Sequence, residues 1–183
     1  MIFLFVVLGV LATALVLIYN MLVAARQLVD NGWSDIDVQL KRRADLIPQI
    51  VTTVKGYAKH ERKLFSDITE KRGAALAAGD DPKDRGRAES ALRGPVSRLL
   101  AVAEDYPDLK ASDNFLGLQE ELSETETKIE MARRFYNGAV RQLNTKVQSF
   151  PVNLVAGAFG FKAREYFEID GHDAALPLSL IHI

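Results

Sequence analysis

The sequence predicts an all-α protein, in which an N-terminal transmembrane helix precedes an elongated antiparallel bundle of three long helices, with a short fourth helix left open. The first 25 residues carry no charged side chain, and beyond them apolar residues recur three and four positions apart. Gly and Pro lie mostly where such helices would begin or end. A length of 183 residues, of which 48% are hydrophobic, allows one domain beside the membrane segment.

The membrane segment is predicted at residues 1–25. Only Gly9, Thr13 and Asn20 fall outside the apolar set between residues 2 and 25. About 20 apolar residues are enough to cross the hydrocarbon core as a helix. A cleaved signal peptide would have a basic start and an apolar core of about 7–15 residues, whereas here only Met1 precedes a longer run.

The flanking charges predict the orientation. The N-terminal side offers only the α-amino group, whereas Arg26 and then Lys41, Arg42 and Arg43 follow the segment. The positive-inside bias places the N-terminus outside and the helical domain in the cytoplasm.

Residues 26–161 are predicted to form the bundle. Its first helical pattern covers 33–78, where Pro48 is expected to kink or divide the helix. The turn of 79–82 separates it from a helix that starts at Lys83 or Arg87 and ends near Tyr106. The longest pattern covers 113–150 and has a heptad-like seam. The seam consists of Phe115, Leu118, Leu122, Thr125, Ile129, Ala132, Tyr136, Ala139, Leu143, Val147 and Phe150.

Two interpretations remain open for residues 150–161, which are apolar and rich in small side chains. They could close the end of the bundle as a short helix or turn, or they could contact lipid or another subunit. Three long helices run out, back and out again, so the expectation is that this segment lies far from the bilayer. Residues 162–183 are predicted to be a loose, exposed tail.

Composition and motifs exclude several kinds of chemistry. The chain has no cysteine, and its 23 Lys and Arg nearly balance its 24 Asp and Glu. These counts exclude thiol nucleophiles and disulfides and disfavour nucleic acid as a partner. His60-Glu61 and His172-Asp173 lack the spacing of a helical metal site, and no nucleotide-binding or nucleophile motif occurs. We therefore expect no enzyme activity, no catalytic residue, no metal and no cofactor.

The strongest candidate for a partner or lipid contact lies just beyond the membrane segment. It comprises Trp33, Asp35, Asp37, Arg42 and Arg43. Arginines at this position could meet anionic headgroups or a partner protein. The alternative is a solvated helix face, since Asp37 and Lys41 have i,i+4 spacing. Asn137 and Asn144, seven residues apart, are predicted to fix the register of the bundle.

Several strings resemble the LemA family. The most specific is WSDIDVQLKRR, from Trp33 to Arg43, and YNxLVxxR begins at Tyr19. Further matching strings follow in order along nearly the whole chain: DLIP at 45–48, VKGYA at 54–58, AVAE at 101–104, YPDLKA at 106–111, FP at 150–151 and GF at 160–161.

This resemblance implies a bacterial inner-membrane protein with one membrane helix and long antiparallel helices, and with no established biochemical activity. The family includes the magnetosome protein MamQ, linked to membrane remodelling, and its genes often neighbour those of membrane peptidases. We therefore expect a non-enzymatic membrane-anchored scaffold or adaptor. The alternatives are membrane remodelling by self-assembly and regulation of a membrane peptidase. The expected partners are the lipid bilayer, a membrane protein and further copies of the chain.

The last six residues, LSLIHI at 178–183, match one translation of a transposon-end adapter used in sequencing libraries. We hypothesise that they are not native, so His182 carries no functional weight.

Overall fold

The computed structural model of the protein describes residues 1–169. Within that range the chain forms six α-helices and no β-strand, which confirms the predicted all-α bundle. The helices are α1 (Ile2–Lys55), α2 (Arg62–Ala77), α3 (Pro82–Glu104), α4 (Pro107–Lys110), α5 (Asp113–Gln148) and α6 (Val152–Ala158).

Helix α1 is uninterrupted over 54 residues. At about 1.5 Å per residue it is roughly 80 Å long. Residues 1–17 are exposed, and among the described helices α1 is the one long and apolar enough to cross a membrane. None of its most apolar stretch is buried inside the protein, as expected for a surface that faces lipid.

Pro48 does not divide the helix, although division was one of the two predicted outcomes. The helix continues through it and ends at Lys55, before Gly56. Proline removes one backbone hydrogen bond. Here its neighbours Ile47 and Ile50 are fully buried, and this packing holds the helix together. The interruption lies instead at residues 56–61, so the segment 33–78 contributes the end of α1 and the separate helix α2.

Helices α2 and α3 pack against each other across a tight turn. Gly79 adopts a φ of 68°, a conformation that glycine takes without strain. Asp81 then caps α3, because its carboxylate accepts hydrogen bonds from the N–H groups of Lys83 and Asp84, both at 3.0 Å. Helix α3 continues through Pro95, which is buried.

The seam of α5 is largely as predicted. The residues at its seam positions from Phe115 to Leu143 are buried, apart from the half-buried Ala132. The stripe stops there, because Val147 is half-buried and Phe150 is 79% exposed beyond the end of the helix.

The chain divides into two compact units, and α1 and α5 contribute to both. The first unit contains Met1–Asp37 and Glu130–Tyr166, and the second contains Val38–Ile129 and, of the described residues, 167–169. The second unit holds the larger apolar core, built from the end of α1, from α2 to α4 and from the start of α5. The first unit has a smaller cluster, centred on Leu22, Ala156 and Phe161.

The expectation that residues 150–161 lie far from the membrane segment was wrong. Helix α6 packs within the first unit against Ile18, Leu22 and Val23, at the end of the apolar segment. The error came from counting three helical traverses. Because 33–78 is two helices, that count was one helix short.

The expectation of a loose tail fails for residues 164–169. Phe167 and Ile169 are buried in the second unit, and Arg164 and Glu165 are hydrogen-bonded within the first. Spaced apolar residues and backbone hydrogen bonds hold this part in place although it forms no helix. Residues 170–183, including His172, Asp173 and the hypothesised non-native 178–183, lie outside the described residues.

Candidate functional site

In the first unit, aromatic side chains pack together at the end of the apolar segment of α1. The Tyr19 ring meets the edges of Phe159 and Phe161, with ring centroids 5.0 and 5.8 Å apart. The guanidinium of Arg26 lies over the Phe161 ring, 5.3 Å from its centroid, in cation–π geometry. This aromatic cluster joins the end of the apolar segment to the chain that follows α5.

An extended segment after α6 is clamped across α5 and α1. Asn144 donates from its amide to the Arg164 carbonyl at 2.9 Å, and its Oδ1 accepts from the Arg164 N–H at 2.8 Å. The Arg164 side chain donates to Asp30 at 3.0 Å, and the Tyr136 hydroxyl donates to the Glu165 carbonyl at 2.9 Å. Asn144 therefore binds the backbone of Arg164. This role differs from the predicted one, which was to fix the register of the bundle.

Trp33 is part of this first unit. Its ring is half-buried and lies 5.5 Å from that of Tyr136, centroid to centroid. One residue earlier, a Cβ on Gly32 would lie 3.1 Å from the Tyr136 Cα and from the Phe135 ring. The small side chain at this position permits a close approach of α1 and α5. Trp33 thus packs between helices, and part of its surface remains exposed.

Asp35 and Asp37 lie on the exposed surface of α1. They follow the predicted membrane segment by 10 and 12 residues, which is roughly 15 to 18 Å along the helix. Of the five predicted contact residues, these two carboxylates are the most accessible.

The two arginines of the candidate set belong to the second unit, where they differ sharply. Arg42 donates to Glu121 at 2.9 Å, and both side chains are about 40% exposed. Arg43 is 2% exposed and donates to Glu126 at 2.9 Å and also to Glu89. Arg43 therefore faces the interior of the second unit, and the surface contact predicted for it would require that unit to open.

Arg43 belongs to a buried network of four charged groups. Glu89 also accepts from Arg85 at 3.1 Å, so two guanidinium groups face two carboxylates. Burial would lower the pKa of Arg43, but the charges of Glu126 and Glu89 outweigh it and raise that pKa above its ordinary value. Because a raised pKa favours the charged form in the folded state, this stabilisation is fully present at neutral pH. This stabilisation would be lost only as the pH rises through the pKa of Arg43, which lies above that of an ordinary arginine.

A shallow depression lies beside this network in the second unit. It encloses about 420 Å³, part of it open to solvent, and is lined by Val96, Leu100 and Leu122 together with Arg43, Arg93, Ser97 and Glu126. The Nε of Arg43 has no hydrogen-bond partner there. Among residues 1–169, no group of three or more His, Asp and Glu side chains is placed to hold a metal ion.

The sequence contained a signal for this network that the motif analysis did not use. Arg43 continues the spacing of Ile36, Leu40 and Ile47, so it falls on the buried stripe of α1. Glu89 likewise lies three residues before Leu92 on the stripe of α3. Charged residues that keep apolar periodicity are candidates for buried ion pairs.

The chain matches the model of a known protein family over most of its length. The model of the LemA family matches residues 32–178, which is most of the chain. The chain belongs to the LemA family. The resemblance predicted from the Trp33–Arg43 string is thereby confirmed.

Curated relatives are similar along most of this LemA family chain. The magnetosome protein MamQ 2 of Paramagnetospirillum magneticum is 25% identical over 82% of the chain, and MamQ of Magnetospirillum gryphiswaldense is 26% identical over 85%. The protein LemA of Metamycoplasma hominis is 29% identical over 75% of the chain. The alignments cover 63 to 66% of these relatives' own lengths. Together with the apolar start of α1, the relatives indicate a membrane-associated helical protein.

Proposed function

We propose that this LemA family protein is a non-enzymatic scaffold or adaptor that holds a helical bundle at the surface of a membrane. The observation that carries the proposal is the continuity of α1, which runs without a break from its exposed apolar part into the bundle. A continuous helix fixes the distance and direction of the exposed residues that follow the bilayer.

The proposed contact residues for a membrane-protein partner are Asp35 and Asp37, which point to different sides of α1, with Trp33 one turn before Asp37 on the same side. The two carboxylates are exposed, and they follow the membrane segment on a rigid helix. Exposed carboxylates of this kind fit a basic segment of a partner. Arg42 lies in the second unit and contributes less, because it is less exposed than the two carboxylates.

Cysteine crosslinking tests this proposal, because the natural chain has no cysteine. Asp35→Cys is expressed in the full chain and treated with a short bifunctional crosslinker in native membranes. Gln142→Cys, which is also exposed in the first unit, is the matched control. We expect Asp35→Cys to give a discrete adduct with another protein, absent from the control and reduced by Asp37→Arg. Identical patterns for both cysteines would contradict the adaptor.

The proposed location is the inner membrane of a bacterial cell, with the N-terminus outside and the bundle in the cytoplasm. Arg26 and Lys41, both exposed after the apolar segment, support this orientation. Fusion of alkaline phosphatase after residue 169 tests it, because the enzyme is active only outside the cytoplasm. Active phosphatase would show that the bundle lies outside the cytoplasm and would contradict the proposed orientation.

A second candidate function is membrane remodelling by self-assembly. It is favoured by the likeness to magnetosome proteins and by the exposed apolar residues of 150–159. The full chain should then form oligomers and change vesicle curvature as its density rises. Monomers that leave vesicle shape unchanged at high density would remove this candidate.

A further inference from the structure

The segment 150–159 presents three large apolar side chains to its surroundings. Phe150 is 79% exposed, Leu154 is 64% exposed and Phe159 is 53% exposed. The opposite face of α6 is occupied, since Ala156 is buried and Val152 and Val155 pack on the Leu22 cluster. The segment 150–159 thus has one side docked on the protein, while Leu154 in α6 and the flanking Phe150 and Phe159 remain uncovered.

The exposed face is continuous with the surface of the apolar segment of α1. Val16 and Leu17 are 57% and 64% exposed, and Tyr19 on the next turn is 38% exposed. The ring of Tyr19 contacts that of Phe159 at 5.0 Å between centroids. If the bilayer covers Val16 and Leu17, the same apolar surface extends through Tyr19 onto residues 150–159.

The charges around this face fit a lipid surface. No Asp or Glu occurs from residue 149 to 163, and none precedes Asp30 in α1. The nearest charged side chains in sequence are basic, namely Arg26, Lys146 and Lys162. An apolar face bordered by basic and aromatic residues is the pattern of helices that lie in the membrane interface.

We propose that residues 150–159 form a second membrane contact, an interfacial anchor that lies in the bilayer beside the point where α1 leaves it. The anchor uses Phe150, Leu154 and Phe159 toward the acyl chains, and Arg26 and Lys162 toward anionic headgroups. It rests on the membrane attachment of the proposed function but needs no partner protein. Two contacts would hold the first unit at a fixed tilt, which a single helix does not.

Depth-dependent quenching in lipid vesicles tests the anchor. Leu154→Cys in the full chain is labelled with an environment-sensitive fluorophore and reconstituted into phosphatidylcholine vesicles containing a quarter of phosphatidylglycerol, with quencher-bearing lipids at several depths. The matched control is Met131→Cys, which is 58% exposed on α5 in the same unit. It lies 17 residues before Gln148, roughly 25 Å along the helix. The expected result is strong quenching of the first label, at a depth of about 5–10 Å below the headgroups, and none of the second.

A second measurement separates lipid contact from folding effects. The label is moved to the exposed position Asn153→Cys and compared with and without Leu154→Glu. Since Leu154 is mostly exposed, its replacement should leave the helix content unchanged while lipid quenching at residue 153 is lost. An equal exposure of the Leu154→Cys and Met131→Cys labels to water would overturn the anchor. So would shielding that depends on protein density and not on lipid quenchers, because that result would identify a second copy as the occupant. Neither outcome depends on the partner crosslinking of Asp35→Cys, so the two proposals can fail separately.

Discussion

Arg43 in the second unit and Arg164 in the first unit donate to carboxylates at nearly the same distance, 2.9 and 3.0 Å, in very different surroundings. The Arg43 side chain is 3% exposed, whereas Arg164 and Asp30 are 48% and 44% exposed. Water solvates a charge left behind at the exposed pair but reaches the buried one poorly. We therefore expect the two pairs to contribute unequally to stability, although their distances are nearly equal. The variants below test that difference.

The largest effect is expected for Arg43→Met. Its removal leaves Glu89, itself 2% exposed, with one positive partner fewer in a buried site. We expect a loss of about 3–5 kcal/mol in the free energy of unfolding. The measurement is denaturant unfolding of the full chain in mild detergent, followed by far-ultraviolet circular dichroism of its helices. Arg42→Met is the control, because its half-exposed pair should contribute less than about 1 kcal/mol. Equal losses from these two neighbours would show that burial is not the deciding factor.

Gly86→Ala should rank second. A Cβ at this position would lie 2.2 Å from the backbone oxygen of Glu168, so the segment with Phe167 and Ile169 must shift. The expected cost is about 1–3 kcal/mol, with faster hydrogen exchange at residues 167–169. Gly73→Ala is the matched control, since nothing lies within 4 Å of the position that its Cβ would occupy in α2. If both alanines are tolerated equally, the C-terminal segment is not pressed against α3.

Tyr136→Phe tests a neutral hydrogen bond in the first unit. Loss of the bond to the Glu165 carbonyl should cost about 0.5–1.5 kcal/mol, because the carbonyl can still reach water. Limited proteolysis between residues 162 and 166 provides the measurement and should become faster. Tyr166→Phe, at an exposed tyrosine nearby, serves as the comparison and should leave the cleavage rate unchanged.

The smallest effect is expected for Asp30→Asn. Its exposed pair with Arg164 should contribute about 0.2–1 kcal/mol. Salt sharpens the contrast, because the screening length falls from about 10 Å at 0.1 M to about 3 Å at 1 M. Unfolding measured at these two ionic strengths should show the Asp30 effect disappear and the Arg43 effect persist. A salt-independent Asp30 effect would contradict the assignment of this pair as solvent-screened.

Local periodicity was sufficient to predict the helices and the buried seam of α5. Phe115 to Leu143 follow one stripe, and their burial depends on spacing that is visible within a single helix. Arg43 was placed on the surface because its string is rich in charge. Its partners, the buried Glu89 and the partly buried Glu126, lie 46 and 83 residues away, and only the tertiary fold brings them together.

The position of residues 150–161 required a count of helices, and one break decided that count. The interruption was predicted at Pro48, inside the helical pattern, whereas the helix ends at Lys55, before Gly56. The core around Ile47 and Ile50 overrides the local preference of Pro48. Once α2 is a separate helix, the chain returns to Tyr19, which no local pattern could show. Asp35 and Asp37 are exposed, as charged side chains usually are. Their contact with a partner stays a prediction.

The clamp between Asp30 and Arg164 joins residues that are 134 positions apart, and this has a consequence for biosynthesis. A ribosome adding about 5–20 residues per second needs roughly 7–27 s to pass from one to the other. The apolar start of α1 is ready to enter the bilayer long before its covering partners exist. During that interval Leu22 and Val29, both buried in the finished protein, remain uncovered by α5 and α6. The ribosome-bound chain therefore exposes an apolar stripe beside the membrane until its last segment is made.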